Sequence, residues 1–296
     1  MTAPLQEQLQ DAPLADLPTR GRSFFCAVEL RALLRVTAVV ALWADSAAAK
    51  DQALEPEAAP AETIAPSIPT ASPTKFNLSY GLASTSDYVN RGVTQTDSRP
   101  AVQGYVEPSY GIAYVNVWSS NVDFGDDFRG AEIDIVGGLR PTFGDLSLNF
   151  GWAHYFYAPQ QVSPSYGEIF VKADYRVTDK FIVGTRLWFA PDFDQTGKTS
   201  TFPVVGAKVL LTDKLSAYTG VGYQFFEDPH EPENLVWTAG LSYIWKSLTF
   251  DVRYSDTNLS DSECVVRSGF SDGCGARVVG TISLDLTWSA LKGRSS

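Results

Sequence analysis

Arg277-Val278-Val279-Gly280-Thr281-Ile282-Ser283-Leu284-Asp285-Leu286-Thr287-Trp288 alternates from its first residue to its last. Val278, Gly280, Ile282, Leu284, Leu286 and Trp288 fall on one parity. Arg277, Val279, Thr281, Ser283, Asp285 and Thr287 fall on the other. Successive side chains of a strand point to opposite faces, so this stretch reads as a strand with one greasy face and one polar face.

The same beat runs backward through the chain. Leu248, Phe250, Val252 and Tyr254 keep it, as do Leu215, Ala217, Val221, Tyr223 and Phe225. Leu146, Leu148, Phe150 and Trp152 alternate with Ser147, Asn149 and Gly151, and Phe76, Leu78, Tyr80 and Leu82 open the series. The pattern predicts about twelve strands, near 75–84, 100–110, 112–119, 130–140, 145–156, 166–177, 181–190, 201–211, 215–226, 235–245, 247–256 and 276–288. Strands of roughly ten residues cross a bilayer at a tilt, whereas those of soluble sheets average about five or six.

Connections decide between the two. Counting back from Trp288, they alternate long and short: 257–275 long, Lys246 tight, 227–234 long, Thr212-Asp213-Lys214 tight, 191–200 long, Thr178-Asp179-Lys180 tight, 157–165 long, Pro141–Gly144 tight. Long loops at one end and short turns at the other mark an outer-membrane barrel. Trp152, Trp237, Trp245 and Trp288, read as lying near strand ends, fit interfacial girdles. Lipid offers no solvent to unpaired backbone groups, so the sheet must close on itself. The expected fold is therefore all-β: a closed antiparallel transmembrane barrel over 75–296, with short periplasmic turns, long extracellular loops and both termini in the periplasm.

Charge on the lipid face is expensive, roughly 2–4 kcal/mol for each Arg or Lys at the midplane. The polar parity is accordingly assigned to the lumen: Glu107, Glu132, Asp134, Arg140, Glu168, Lys172, Asp174, Arg176, Arg186, Lys208, Asp251, Arg253, Arg277 and Asp285. Acids and bases are equal in number there. They line a pore and set its ion preference, or they pair across strands and brace or plug the barrel; both readings stand. Arg91-Gly92, just past the first strand, adds a further choice. If the chain folds inward there, Arg91 stands at a constriction, stabilising anions or pairing with Glu132 and Asp134. Otherwise Gly92 permits a bulge or turn and Arg91 braces the wall.

The long loops are acidic, with Asp123, Asp126, Asp127, Glu227, Asp228, Glu231 and Glu233 among their charges. No spacing matches a calcium loop, and a solvated acidic rim facing lipopolysaccharide is the expected role. Cys264 and Cys274 share the last long loop; an oxidising exported compartment predicts that they pair. No metal site or cofactor is expected. His154 and His230 belong to no catalytic motif, and no enzymatic activity is expected.

Upstream, Arg31-Ala32-Leu33-Leu34-Arg35, the apolar run Val36–Ala44 and Ser46-Ala47-Ala48-Ala49 have the order of a secretory signal peptide, placing a leader at 1–49 with cleavage after Ala49. Residues 1–21 are consistent with a start assigned too early. The Pro- and Ala-rich stretch 50–74 reads as a linker. Among 296 residues, 34 acids against 23 bases give a net charge of −11, which excludes a nucleic-acid partner that needs a basic face. The expected partners are outer-membrane lipid, lipopolysaccharide and the machinery that inserts barrels; the oligomeric state is left open.

Ser86-Asp87-Tyr88-Val89-Asn90-Arg91-Gly92-Val93-Thr94-Gln95-Thr96-Asp97, Pro100–Gly104, Val117–Phe124, Glu132-Ile133-Asp134 and Tyr166-Gly167-Glu168 resemble the TorF family of Gram-negative porins. The resemblance covers about 76–288 and implies an exported barrel acting as a channel, with no solute assigned. Twelve strands lie between the eight that side chains fill and the sixteen that leave a wide channel. The expected function is passive diffusion of ions or small hydrophilic solutes through a narrow bore. The alternative is a structural or adhesive barrel with a closed lumen and acidic, partner-binding loops.

Overall fold

The computed structural model describes residues 76–125, 129–159 and 164–288. The leader over 1–49, the linker over 50–74, Asp126, Asp127 and the tail after Trp288 lie outside these residues.

Twelve long strands form one closed antiparallel sheet. In chain order they are β1 (Phe76–Thr85), β2 (Ala101–Tyr110), β3 (Ala113–Asp123), β4 (Arg129–Leu139), β5 (Leu146–Ala158), β6 (Tyr166–Thr178), β7 (Phe181–Ala190), β8 (Ser200–Leu210), β9 (Leu215–Phe226), β10 (Asn234–Trp245), β11 (Leu248–Thr257) and β12 (Arg277–Thr287). Each pairs with the next in sequence, and β1 pairs with β12 to remove the edge, with Ser79 opposite Thr287 and Thr85 opposite Thr281. Closure leaves no strand with an unpaired edge, which a barrel in hydrocarbon requires.

The alternation in sequence becomes inside and outside. Val106, Val117, Ile133, Ile135, Val171, Val205, Leu241, Val252 and Ile282 stand exposed on the outer wall, while Ser79, Asn116, Ser216, Ser242 and Ser255 are buried within. Trp245 and Trp288 are exposed on the outer face at the short-turn end, beside Tyr110 and Tyr243. Trp237 faces out at the opposite end of β10. Trp152 departs from its expected place. It falls mid-strand in β5 and lies across Gly167 of β6, where an added Cβ would come 2.0 Å from its ring. A glycine on the neighbouring strand leaves the hollow that this indole covers.

Strand boundaries match the alternation closely, with one clear extension. β3 runs on to Asp123, because β4 continues to pair with it as far as Arg129. The last long loop holds a helix that the alternation did not reveal, α1 (Asp261–Ser268). Ser260 caps it, accepting from the Glu263 N–H while Glu263 accepts from the Ser260 N–H, and Gly269 closes it with a positive φ. Cys264 and Cys274 form a disulfide with their Cα atoms 5.8 Å apart, fastening the helix to the return leg of its loop.

Candidate functional site

The first long loop, between β1 and β2, turns into the barrel. Val89–Asn90 pairs with Val93–Thr94 as a miniature ribbon, and Arg91 (φ 49) and Gly92 (φ 77) make its two-residue turn. Both central residues of such a turn need positive φ, which suits glycine and strains arginine. The strain is offset by what Arg91 reaches across the bore. Its guanidinium donates to Glu168 on β6 at 2.6 Å and to Gln224 on β9 at 3.0 Å. It lies 5.0 Å from the ring of Phe202 on β8 and 5.9 Å from that of Trp188 on β7. Its carbonyl accepts from Asn234 on β10 at 3.2 Å. Gly92 packs beneath Val236 and Thr257, where a Cβ would come within 3.0 Å of the Thr257 side chain. One turn thus bridges six strands of the wall.

The structure combines elements of both sequence readings. The loop folds inward, and Gly92 makes a turn from which Arg91 braces the wall, with a partner that neither reading named. Arg91 pairs with Glu168 and not with Glu132 or Asp134. β6 places Glu168 nearest the loop tip, and Tyr155 donates to the same carboxylate oxygen at 2.8 Å. Burial works against the Arg91 charge, but Glu168 outweighs it and holds the guanidinium pKa above its ordinary value.

The base of the loop is fastened as well. Asp87 pairs with Arg277 at 2.7 Å and accepts from Thr94 at 2.6 Å. The Thr94 N–H donates to the Gly273 carbonyl, tying the inward loop to the loop that carries α1. Tyr88 packs edge-on against Trp118, its ring centroid 5.5 Å away. From α1, Arg267 lies over the Phe226 ring at 4.4 Å and pairs with Glu231; burial lowers its pKa.

Placement of the fourteen assigned side chains follows the parity. Glu107 takes a two-pronged pair from Arg140, at 2.6 and 3.0 Å, and a third bond from Asn116. Arg186 pairs with Asp174 at 2.8 Å. Tyr218 donates to Asp251 and Tyr105 to Asp285. Lys172 lies 5.4 Å from the rings of Phe170 and Trp188. Lys208 and Arg253 are buried, and Arg176 is half-buried nearer the short-turn end. Arg277 sits at the loop end, where it holds Asp87 and the carbonyls of Asp272 and Cys274. Together with Glu107, the most deeply buried of the fourteen are Glu132, Asp134 and Glu168, at 1 %, 0 % and 1 % exposed.

Gln224, Asn234 and Tyr88 also belong to this site, and charge alone could not have found them. Gln224 and Asn234 sit on the inward parity of β9 and β10, which is their sequence signal. The direction of the loop carrying Tyr88 has no such signal. Among the loop acids, Asp123 pairs with Arg99 and Arg129, both at 2.9 Å. Asp228 accepts from His230, which is exposed. His154 points outward between Trp152 and Phe156.

Residues 69–284 match the family model described as Gcw_chp, a bacterial protein of unknown function. The chain belongs to the Gcw_chp family. No curated protein matches it in sequence. Among solved structures this Gcw_chp barrel is similar to the KdgM porin, at 10 % identity over 70 % of this chain and 98 % of that one, with a TM-score of 0.48. It is similar to the NanC porin at 9 % identity over 72 % and 98 %, with a TM-score of 0.44. To OmpT of Vibrio cholerae the identity is 10 % over 72 % and 97 %, with a TM-score of 0.34.

Proposed function

We propose that this barrel is an outer-membrane porin of narrow bore, passing ions or small hydrophilic solutes down their gradients. The observation that carries the reading is the division of its two faces: exposed Val, Ile, Leu and aromatic side chains outside, and buried Glu, Asp, Lys, Arg, Ser and Asn within, interleaved with aromatic rings such as Trp118, Phe170 and Phe202. An apolar band with a polar interior is the construction of a channel in hydrocarbon. The resemblance to TorF porins supports the same reading. In this orientation the short turns and both termini face the periplasm, the long loops meet lipopolysaccharide, and the chain enters the membrane through the barrel-insertion machinery. The inward turn at Arg91 is the constriction.

A second reading, a closed barrel whose loops bind a partner, draws support from the same turn, because Arg91 spans the bore with its hydrogen bonds already made. Planar-bilayer recording of the refolded full chain separates the two. Stepwise current with a defined reversal potential in a salt gradient is expected of the porin. A barrel that inserts, shown by its heat-modifiable migration, and passes no current contradicts it.

A further inference from the structure

Asp134 is fully buried, and neither of its carboxylate oxygens accepts a hydrogen bond from any described residue. Two residues along β4, Glu132 is 1 % exposed, accepts a long bond, 3.3 Å, from Tyr157 and lies beside the Tyr88 hydroxyl. The ion pair of the neighbouring Glu168 goes to Arg91, and no ion pair reaches Glu132 or Asp134 among the described residues. Two carboxyl groups therefore lie inside the barrel with no ion-pair partner among the described residues. A buried carboxylate with no partner costs several kcal/mol even after relaxation, so the pair either holds a proton or is matched by a positive group.

The walls say which kind. In the sheet register Trp118 of β3 stands directly opposite Asp134 on one side, and Tyr155 of β5 on the other. Tyr157 stands opposite Glu132. Tyr88, carried on the inward loop, packs against Trp118 and lies near both carboxylates. Aromatic faces carry negative potential, which repels anions and attracts cations. No three Asp, Glu, His or Cys side chains among the described residues converge as a metal site would need. An organic ammonium brings its own N–H donors to such acceptors.

We infer that Asp134, with Glu132 beside it and Trp118, Tyr155 and Tyr88 around it, is a subsite for the ammonium group of a small organic cation. The ammonium N–H groups donate to the Asp134 oxygens, and its alkyl carbons pack on the rings. As a statement about transported solutes this rests on the porin reading; as a statement about binding it does not.

The test is calorimetric titration of the refolded full chain in detergent with butylammonium chloride, against potassium chloride and sodium butyrate at matched ionic strength. Saturable binding of butylammonium alone is expected, weakened at least tenfold in Asp134→Asn and less in Glu132→Gln. Both variants remove charge without changing shape, and heat-modifiable migration checks that each is folded. No saturable binding, equal binding by Asp134→Asn, or saturation by potassium in place of butylammonium each overturns the assignment. Bilayer recording on the same preparation keeps the two claims apart. Binding without current leaves the subsite and removes the porin; current without binding does the reverse.

Discussion

Truncating Arg91 would leave Glu168 buried at 1 % exposure, holding only the Tyr155 hydroxyl on one oxygen. Removing one partner of a buried pair costs about 3–5 kcal/mol, mainly from the stranded charge. Arg91→Ala is therefore expected to lower unfolding stability in lipid vesicles by about 3 kcal/mol. Adding Glu168→Gln should recover most of it, because the stranded carboxylate is then neutral. An additive double mutant would show that the pair carries no coupling. Arg91 was visible as a candidate in sequence because a charge beside glycine just past a strand end is conspicuous. Its partner was not, because Glu168, Gln224 and Asn234 converge on it from strands far apart in the chain. Parity says that a residue points inward, and says nothing of how far an inward loop reaches.

At the scale of elements, the strands were legible almost to the residue, and α1 was not. The helix signals were present in Ser260, Glu263 and Gly269. Eight residues cannot hold a helix alone in water, so its existence depends on the disulfide and on the packing of Arg267 over Phe226. Replacing Cys264 and Cys274 together by Ser should free the helix. In the chain-entropy account a short closed loop contributes about 2–3 kcal/mol. Hydrogen exchange over 260–269 is expected to quicken in that variant while the strands stay protected; unchanged exchange would mean that packing alone suffices. Acid gives a second probe of the helix. The Ser260 hydroxyl and backbone N–H hold Glu263 below the usual carboxylate range. The capping box is thus complete above that range and is lost as pH falls through the lowered value. Exchange in α1, corrected for its intrinsic rate, should rise on acidification in the native chain. The rise should vanish in Glu263→Gln, whose amide keeps the capping geometry.

At the scale of the molecule, period-two alternation and the regular exchange of long and short connections carried strand number, order and closure. Each of those follows from local pattern and from the rule that no sheet edge can face lipid. What fills the bore does not follow from them. The inward loop, the Arg140–Glu107 and Arg186–Asp174 pairs and the partnerless Asp134 are set by which inward side chains meet across the barrel. The alternation kept pore lining and plug equally open. The structure places the Arg140–Glu107 pair toward the short turns, and the bridging turn, with its Arg91–Glu168 and Asp87–Arg277 pairs, toward the long loops.

Single-channel conductance, compared between the native chain and one in which residues 88–95 are replaced by a Gly-Ser segment of equal length, tests this account most directly. Small, discrete steps are expected from the native barrel. Clearly larger ones are expected once Arg91 no longer spans the wall, with both proteins inserted and heat-modifiable. Equal conductance in the two would remove the constriction, and silence in both would contradict the porin itself.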